Sequence, residues 1–196
     1  MSLVTSYAPD FTSSAVLKDN KIINNFNFRK FSKKKMVVIF FWPMDFTFVC
    51  PTELVMLDKL YNEFELRKVK IIGISIDSPF VHIAWRNTSI YKGGIGNVKY
   101  IMVSDIKRKI QKMYNIEHPK LGVALRATFI IDKENIIRHQ LVNDLPIGRN
   151  IKETLRTIDA INFHDNNGEV CPSEWKKGDK GIIPSTQGII KYFKKK

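Results

Sequence analysis

Two cysteines, Cys50 and Cys171, are the residues whose chemistry and surroundings first suggest a reaction. Cys50 follows PMDFTFV, precedes Pro51-Thr52-Glu53, and is followed by apolar residues at helical spacing. Proline suits the first turn of a helix, where the unpaired N–H groups favour an anion. Helix N-termini can lower the pKa of a cysteine from about 8.5 to roughly 3.5–7.5. This position therefore favours a reactive thiolate, although an isolated cysteine is more often a small buried hydrophobic residue.

The remaining polar residues favour neither a metal site nor a disulfide framework. Two cysteines far apart in the chain are too few for a disulfide-stapled secreted fold. The four histidines are scattered, and none forms a close ligand pair with another histidine or a cysteine: His82, His118, His139 and His164. We therefore expect no metal site.

The net charge of +13 has two possible meanings, an anion-binding surface or solvated lysine faces. The lysines are dispersed, with compact runs only at Lys33–Lys35 and Lys194–Lys196, and no recognition-helix pattern is present. Solvated faces are therefore the preferred interpretation, with no specific nucleic-acid partner. No run approaches the roughly 18 apolar residues of a membrane span, and MSLVTSYAPDF lacks the features of a secretory signal. We expect a cytoplasmic protein without a membrane partner.

The elements that must position Cys50 begin with MVVIFF at residues 36–41, an apolar run typical of a strand buried on both faces. The helix after Cys50 is predicted to reach Phe64, and VKIIGISID at Val69–Asp77 predicts a second buried strand. Ser78-Pro79 then starts another helix. Alternating strands and helices indicate a parallel sheet segment.

The later elements complete an α/β fold with a central mixed sheet flanked by helices. VKYIMVSD predicts a third strand, IKRKIQKMYNI a helix, and ATFIID with IIRHQLV an antiparallel pair. After the helix IKETLRTIDAINF, residues 164–188 are polar, turn-rich and without periodicity, as in an extended arm. We therefore predict a domain at 1–165 and a C-terminal arm at 166–196.

The word P-x-x-x-T-x-x-C, formed by Pro43, Thr47 and Cys50, resembles the active-site signature of the peroxiredoxins. These are thiol peroxidases with a thioredoxin-like fold that serve antioxidant defence and redox homeostasis. The resemblance implies that the proline shields the thiolate from solvent. It also implies that the threonine hydroxyl hydrogen-bonds the thiolate and the incoming peroxide.

Further words match the typical 2-Cys class of this family, in the family's order and from about Ala8 onward. Arg126 and Arg149 correspond to its two active-site arginines, and NNGEVCP around Cys171 resembles its resolving-cysteine segment. GGIG at residues 93–96 and Tyr192-Phe193 resemble elements that hold the active-site helix folded in peroxide-sensitive members.

The resemblance implies a complete redox cycle. The Cys50 thiolate attacks hydrogen peroxide or an alkyl hydroperoxide, with Thr47, Arg126 and Arg149 positioning the substrate, and becomes a sulfenic acid. The helix start then unwinds, Cys50 forms a disulfide with Cys171 of a partner subunit, and thioredoxin reduces that disulfide. No cofactor is needed. Family members form antiparallel homodimers, often assembled into decamers.

Two other function classes stay open at this point. Some ring-forming relatives suppress the aggregation of other proteins, which would be an additional activity and would survive loss of Cys50. Nonspecific polyanion binding would rest on charge alone and would collapse at modest salt.

Overall fold

A computed structural model describes residues 2–194 of the chain. The chain forms two compact units, Met1–Ile151 and Lys152–Lys196. The predicted division into a domain at 1–165 and an arm at 166–196 stays a prediction.

The first unit is built on one mixed sheet. Its strands are β1 (Thr12–Val16), β2 (Ile22–Asn27), β3 (Met36–Phe41), β4 (Val69–Ser75), β5 (Ile101–Ser104), β6 (Arg126–Ile131) and β7 (Ile137–Asn143). They lie in the order β2-β1-β5-β4-β3-β6-β7. The central pairs β3–β4 and β4–β5 are parallel, and the other neighbours are antiparallel. The sheet is therefore the mixed sheet that the sequence predicts.

Helices follow the strands along the chain. They are α1 (Phe28–Ser32), α2 (Cys50–Lys59), α3 (Tyr61–Leu66), α4 (Pro79–Asn87), α5 (Lys109–Met113), α6 (Ile151–Asn167) and α7 (Thr186–Phe193). Helices α2 and α3 connect β3 to β4, and α4 connects β4 to β5, as parallel strands require. No helix among residues 2–194 is both long and apolar enough to cross a bilayer.

Strand β3 is the platform for the Cys50 loop. All six of its residues are buried, because β4 and β6 flank it in the sheet and both of its faces are covered. Val37, Ile39 and Phe41 belong to the main core cluster, together with Phe129 of β6 and Tyr114. Burying each of these side chains contributes about 1.5–3 kcal/mol, so the chain leaves β3 from a firmly held position.

Two predicted helices differ from the observed ones. The helix after Cys50 is interrupted at Leu60, whose N–H bonds to the carbonyls of Asp58 and Met56 before α3 restarts. The helix predicted after Ser104 begins later, at Lys109, because the Asp105 side chain accepts from the N–H groups of Ile110 and Gln111. Local capping by an aspartate fixes that start, and apolar spacing does not reveal it.

The second unit gives the predicted arm a defined local structure. Val170 and Ile182 pair as a β-bridge, which closes the loop that carries Cys171. Trp175 within this loop is buried, and its ring lies 4.9 Å from the ring of Phe163 on α6. Helix α7 follows the loop.

Candidate active site

Cys50 is the first residue of α2, as the sequence predicts, and it is 0% exposed. Pro51 lies in the first turn, where its missing N–H leaves no hydrogen bond unmade. The N–H groups of Thr52 and Glu53 bond to the carbonyl of Val49. The sulfur is therefore placed at the electropositive end of a helix and out of contact with solvent.

Arg126 contacts the Cys50 sulfur directly. Its Nη1 donates to Cys50 Sγ at 3.2 Å and to Glu53 Oε2 at 2.9 Å, while its Nε donates to the carbonyl of Leu145 at 2.5 Å. The topology explains this contact. Arg126 starts β6, two residues beyond the Phe40–Thr128 pair of the antiparallel β3–β6 ladder, so it lies at the end of β3 from which the Cys50 loop departs.

Arg149 also bonds to Glu53, the carboxylate that Arg126 contacts. Its backbone N–H and Nε donate to Glu53 Oε1 at 2.8 and 2.9 Å, and its Nη2 donates to Oε2 at 2.9 Å. The guanidinium also lies over the Phe40 ring, 3.3 Å from the centroid. Arg149 therefore orients Glu53, and Glu53 orients Arg126.

The pKa values follow from this arrangement. Burial alone would raise the pKa of Glu53, but the hydrogen bonds and charge of Arg149, with a further contribution from Arg126, outweigh burial and lower it. Burial lowers the pKa of Arg149, which the Glu53 carboxylate partly offsets. Glu53 is therefore held as a carboxylate between two arginines.

The cluster of charged side chains beside Cys50 carries a net positive charge. Two guanidinium groups share one carboxylate, which leaves one positive charge for the Cys50 thiolate to neutralise. The same charge can stabilise the oxyanion that leaves when a peroxide bond breaks.

Pro43 and Thr47 lie in the loop between β3 and α2, and both line a pocket of about 540 Å³ together with Arg126. The rest of the lining is apolar: Met44, Phe48, Val49, Leu121, Val123, Leu145 and Pro146. The Thr47 hydroxyl donates to the carbonyl of Met44 at 2.9 Å. The Thr47 oxygen keeps lone pairs that can accept a hydrogen bond from a bound molecule.

Cys171 lies in the second unit and is half-buried. Its Sγ lies 3.5 Å from the carbonyl oxygen of Ala160 on α6. Burial raises the pKa of Cys171, and the nearby positive charge of Arg156 partly offsets that rise. Within the described chain both cysteines are free thiols.

Comparison with known families shows which family the chain belongs to. Residues 4–140 match the AhpC/TSA family, and residues 160–195 match the C-terminal domain of 1-Cys peroxiredoxin. The chain is a peroxiredoxin. The predicted membership is thereby confirmed.

Curated relatives and solved structures agree with this assignment. The chain is 58% identical over 195 residues to alkyl hydroperoxide reductase C of Buchnera aphidicola subsp. Baizongia pistaciae, covering 100% of this chain and 98% of the relative. It is 47% identical to the Helicobacter pylori J99 protein of the same name, covering 98% and 96%. The reduced 2-Cys peroxiredoxin of Plasmodium vivax superposes with a TM-score of 0.95 at 44% identity, covering 99% and 100%. The peroxiredoxin is thus a thiol peroxidase of the typical 2-Cys class with a thioredoxin-like fold.

Four of the predicted site residues therefore surround one cavity or one sulfur in the peroxiredoxin's first unit: Pro43, Thr47, Cys50 and Arg126. Arg149 reaches the site through Glu53. Cys171 lies in the other unit, so its meeting with Cys50 stays a prediction.

Glu53 is the residue that sequence reasoning missed as part of the site. In the sequence Glu53 is visible only as part of the Pro51-Thr52-Glu53 segment that follows Cys50, whereas it accepts four hydrogen bonds from two arginines. The available signal was its position one helical turn after Cys50, on the same face of the helix.

Among residues 2–194 no group of three or more potential ligand side chains is placed to hold a metal ion.

Proposed function

We propose that Cys50 is the peroxidatic cysteine of this enzyme and that hydrogen peroxide and alkyl hydroperoxides are its substrates. The observation that carries the assignment is the 3.2 Å contact between Arg126 Nη1 and Cys50 Sγ, two groups that are both buried. The thiolate attacks one peroxide oxygen, the O–O bond breaks, and the departing oxygen takes a proton to leave as water or alcohol. Cys50 is left as a sulfenic acid.

Arg126 and Thr47 act on different parts of this step. The guanidinium favours the thiolate beforehand and stabilises the negative charge that grows on the departing oxygen. The Thr47 oxygen, whose own proton is donated to Met44, accepts the hydrogen bond from the peroxide and directs the oxygen toward sulfur. Pro43 contributes a buried wall that excludes water from the pocket.

Cys171 of a second subunit is the resolving cysteine in this proposal. Its thiol condenses with the Cys50 sulfenic acid, forming an S–S bond and releasing one water, so no further oxidant is required. Thioredoxin then reduces the disulfide by dithiol exchange. The NNGEVCP word and the half-exposed thiol support this role for Cys171.

A homodimer supplies the second subunit, and five such dimers assemble into a decamer as the larger form of the enzyme. Strand β7 supports dimer formation because it ends the sheet, and within the described chain the backbone of the N-terminal segment is hydrogen-bonded to it only at its start, at Ile137. The cytoplasm, where thioredoxin keeps thiols reduced, is the compartment that suits this cycle.

Peroxide-dependent NADPH oxidation, coupled through thioredoxin and thioredoxin reductase, tests the whole cycle. The full-length protein should turn over, and Cys50→Ser should not, because serine lacks the soft, ionisable sulfur. Cys171→Ser should still consume about one equivalent of peroxide but should lose the reducible dimer on a nonreducing gel. Substantial turnover by Cys50→Ser would contradict the assignment of the peroxidatic residue. A Cys50-linked dimer in Cys171→Ser would contradict the assignment of the resolving residue.

A further inference from the structure

The loop that carries Thr47 contains a strained turn. The hydrogen bond from the Thr47 hydroxyl to the carbonyl of Met44 spans four residues, with Asp45 and Phe46 in the middle. Phe46 has a φ of +54°, a left-handed conformation that favours glycine. Such a conformation is unfavourable for a residue with a side chain, so neighbouring contacts must hold the turn in place.

Asp45 supplies the firmest of those contacts. Its side chain is fully buried, with Oδ1 accepting from Trp42 Nε1 at 2.8 Å and Oδ2 lying 2.7 Å from His82 Nδ1. Its backbone N–H donates to Asp77 Oδ2 at 2.8 Å, and Ser75 Oγ donates to the same oxygen at 2.7 Å. The side chain and the backbone N–H of Asp45 are therefore both hydrogen-bonded to groups outside the Met44–Thr47 turn.

Two side chains of helix α4 contact the Met44–Thr47 turn. His82 and Trp85 lie three residues apart on its buried face. His82 bonds to Asp45, and its other ring nitrogen lies 3.4 Å from the carbonyl oxygen of Val103 on β5. The Trp85 ring lies 5.8 Å from the ring of Phe46, the strained residue. Asp45 and Phe46 are thus each fixed by a side chain of the same rigid helix.

We propose that Asp45, clamped between Trp42 and His82, is a positioning residue for peroxide reduction that acts through Thr47. The inference rests on the proposed roles of Thr47 and Cys50. The contacts of Asp45 set the Met44–Thr47 turn, and the Thr47 hydroxyl donates its hydrogen bond to the Met44 carbonyl. A free lone pair of the Thr47 oxygen then points toward the incoming peroxide. Neither Asp45 nor His82 touches the reacting atoms.

A carboxylate at this place is costly for a purely structural role. Burial raises the pKa of Asp45, which the hydrogen bond and charge of His82 partly offset. Asparagine has the same shape and could still accept from Trp42, but it cannot accept a proton from His82 at the second position. Asp45→Asn is therefore a conservative substitution that removes the Asp45–His82 hydrogen bond and keeps the bond to Trp42.

The test compares two replacements of His82 and one of Asp45, each made with and without Thr47→Val. His82→Leu removes the donor to Asp45, whereas His82→Asn restores a donor near the Nδ1 position. Asp45→Asn keeps the shape and the Trp42 bond. For each reduced protein, stopped-flow measures the second-order rate constant of Cys50 with hydrogen peroxide. Iodoacetamide alkylation of Cys50 at the same pH measures thiolate content and access, which do not depend on Thr47.

We expect three changes in the measured rates. Thr47→Val should slow the peroxide reaction by about 10²-fold, as loss of one positioned hydrogen bond does elsewhere. His82→Leu and Asp45→Asn should each slow it at least about 10-fold, with His82→Asn closer to the native rate and alkylation changed by less than about threefold in all of them. Combined with Thr47→Val, neither should slow the reaction further by more than about threefold, because the effects of groups that act through one residue are not additive.

Several results would overturn the inference. Native peroxide rates in His82→Leu and Asp45→Asn, or effects that add fully to that of Thr47→Val, would remove Asp45 as a positioning residue while leaving the proposed function intact. Parallel losses in peroxide reaction and alkylation would assign the clamp to folding alone. A native rate in Thr47→Val would overturn both the role of Thr47 and the inference. Asp132→Asn, a buried carboxylate in the β6–β7 turn, is the matched control and should keep the native rate.

Discussion

Replacing Glu53 with glutamine would test the charge balance beneath Cys50. The carboxylate accepts four hydrogen bonds, three from Arg149 and one from Arg126, and its side chain is 2% exposed. Glutamine has nearly the same shape, but only its oxygen can accept, and its NH₂ group would face arginine donors. The change therefore leaves two buried guanidinium groups without a counter-charge other than the thiolate.

The magnitude follows from the burial of this cluster. Breaking a buried ion pair by neutralising one partner destabilises a protein by about 3–5 kcal/mol. With a urea dependence of about 2 kcal/mol per M, that loss moves the unfolding midpoint down by about 1.5–2.5 M. The peroxide reaction should also slow, by about 10²-fold, because Arg126 loses the contact that aims it at the sulfur.

The loss of stability should depend on pH in a defined direction. The arginines lower the folded-state pKa of Glu53 below its ordinary value of 4.5, so its contribution is fully present above about pH 4.5. It disappears as the pH falls through the lowered folded-state pKa. Burial raises the pKa values of Asp45 and Asp105, and their contributions run the opposite way in both proteins. The difference between native protein and Glu53→Gln should therefore shrink toward low pH.

Urea unfolding at several pH values and stopped-flow with hydrogen peroxide measure both effects. Glu63→Gln is the matched control, because Glu63 pairs with Arg67 on the surface of α3 at 48% side-chain exposure. It should change stability by less than about 1 kcal/mol and leave the peroxide rate unchanged. An unchanged midpoint and an unchanged rate in Glu53→Gln would refute the view that Glu53 organises the arginines.

Three further perturbations address other parts of the cycle. Arg126→Met should slow the peroxide reaction about 10²–10³-fold, because it removes the donor to the Cys50 sulfur, and should leave reduction by thioredoxin unaffected; stopped-flow with hydrogen peroxide checks it. Deleting Tyr192–Lys196 should speed disulfide formation and reduce sulfinic-acid formation in a graded peroxide series followed by mass spectrometry; equal overoxidation would contradict it. Gly94→Ala should destabilise the protein by about 1–3 kcal/mol in urea unfolding, because its Cβ would lie 2.0 Å from the Thr88 carbonyl oxygen.

Much of the fold follows from the sequence because the signals are local. MVVIFF and VKIIGIS are apolar runs that can only be buried strands or short buried helices, and the glycines, prolines and charges around them mark their ends. The break at Leu60 has no such signal. It depends on how the chain packs after α2, and helical spacing continues across it.

The site residues that belong to one short sequence motif were predictable from the sequence. Pro43, Thr47 and Cys50 lie within eight consecutive residues, so their spacing is visible without a structure. The link from Arg149 through Glu53 to Arg126 joins three distant segments, and only the β3–β6 ladder and the start of α2 bring them together. The bond between Asp45 and His82 is likewise invisible in the sequence, because it depends on where α4 crosses the sheet.

The complete burial of the Cys50 sulfur also decides which reagents compete for it. A bulky electrophile can meet the sulfur only when the surrounding loop opens, so its rate scales with the open fraction of the protein. An opening free energy of about 2.8 kcal/mol corresponds to an open fraction near 1%, or about a hundredfold slowing. Small peroxides need far less room. We therefore expect Cys50 to discriminate between reagents by size and to react faster with small peroxides than with bulky electrophiles.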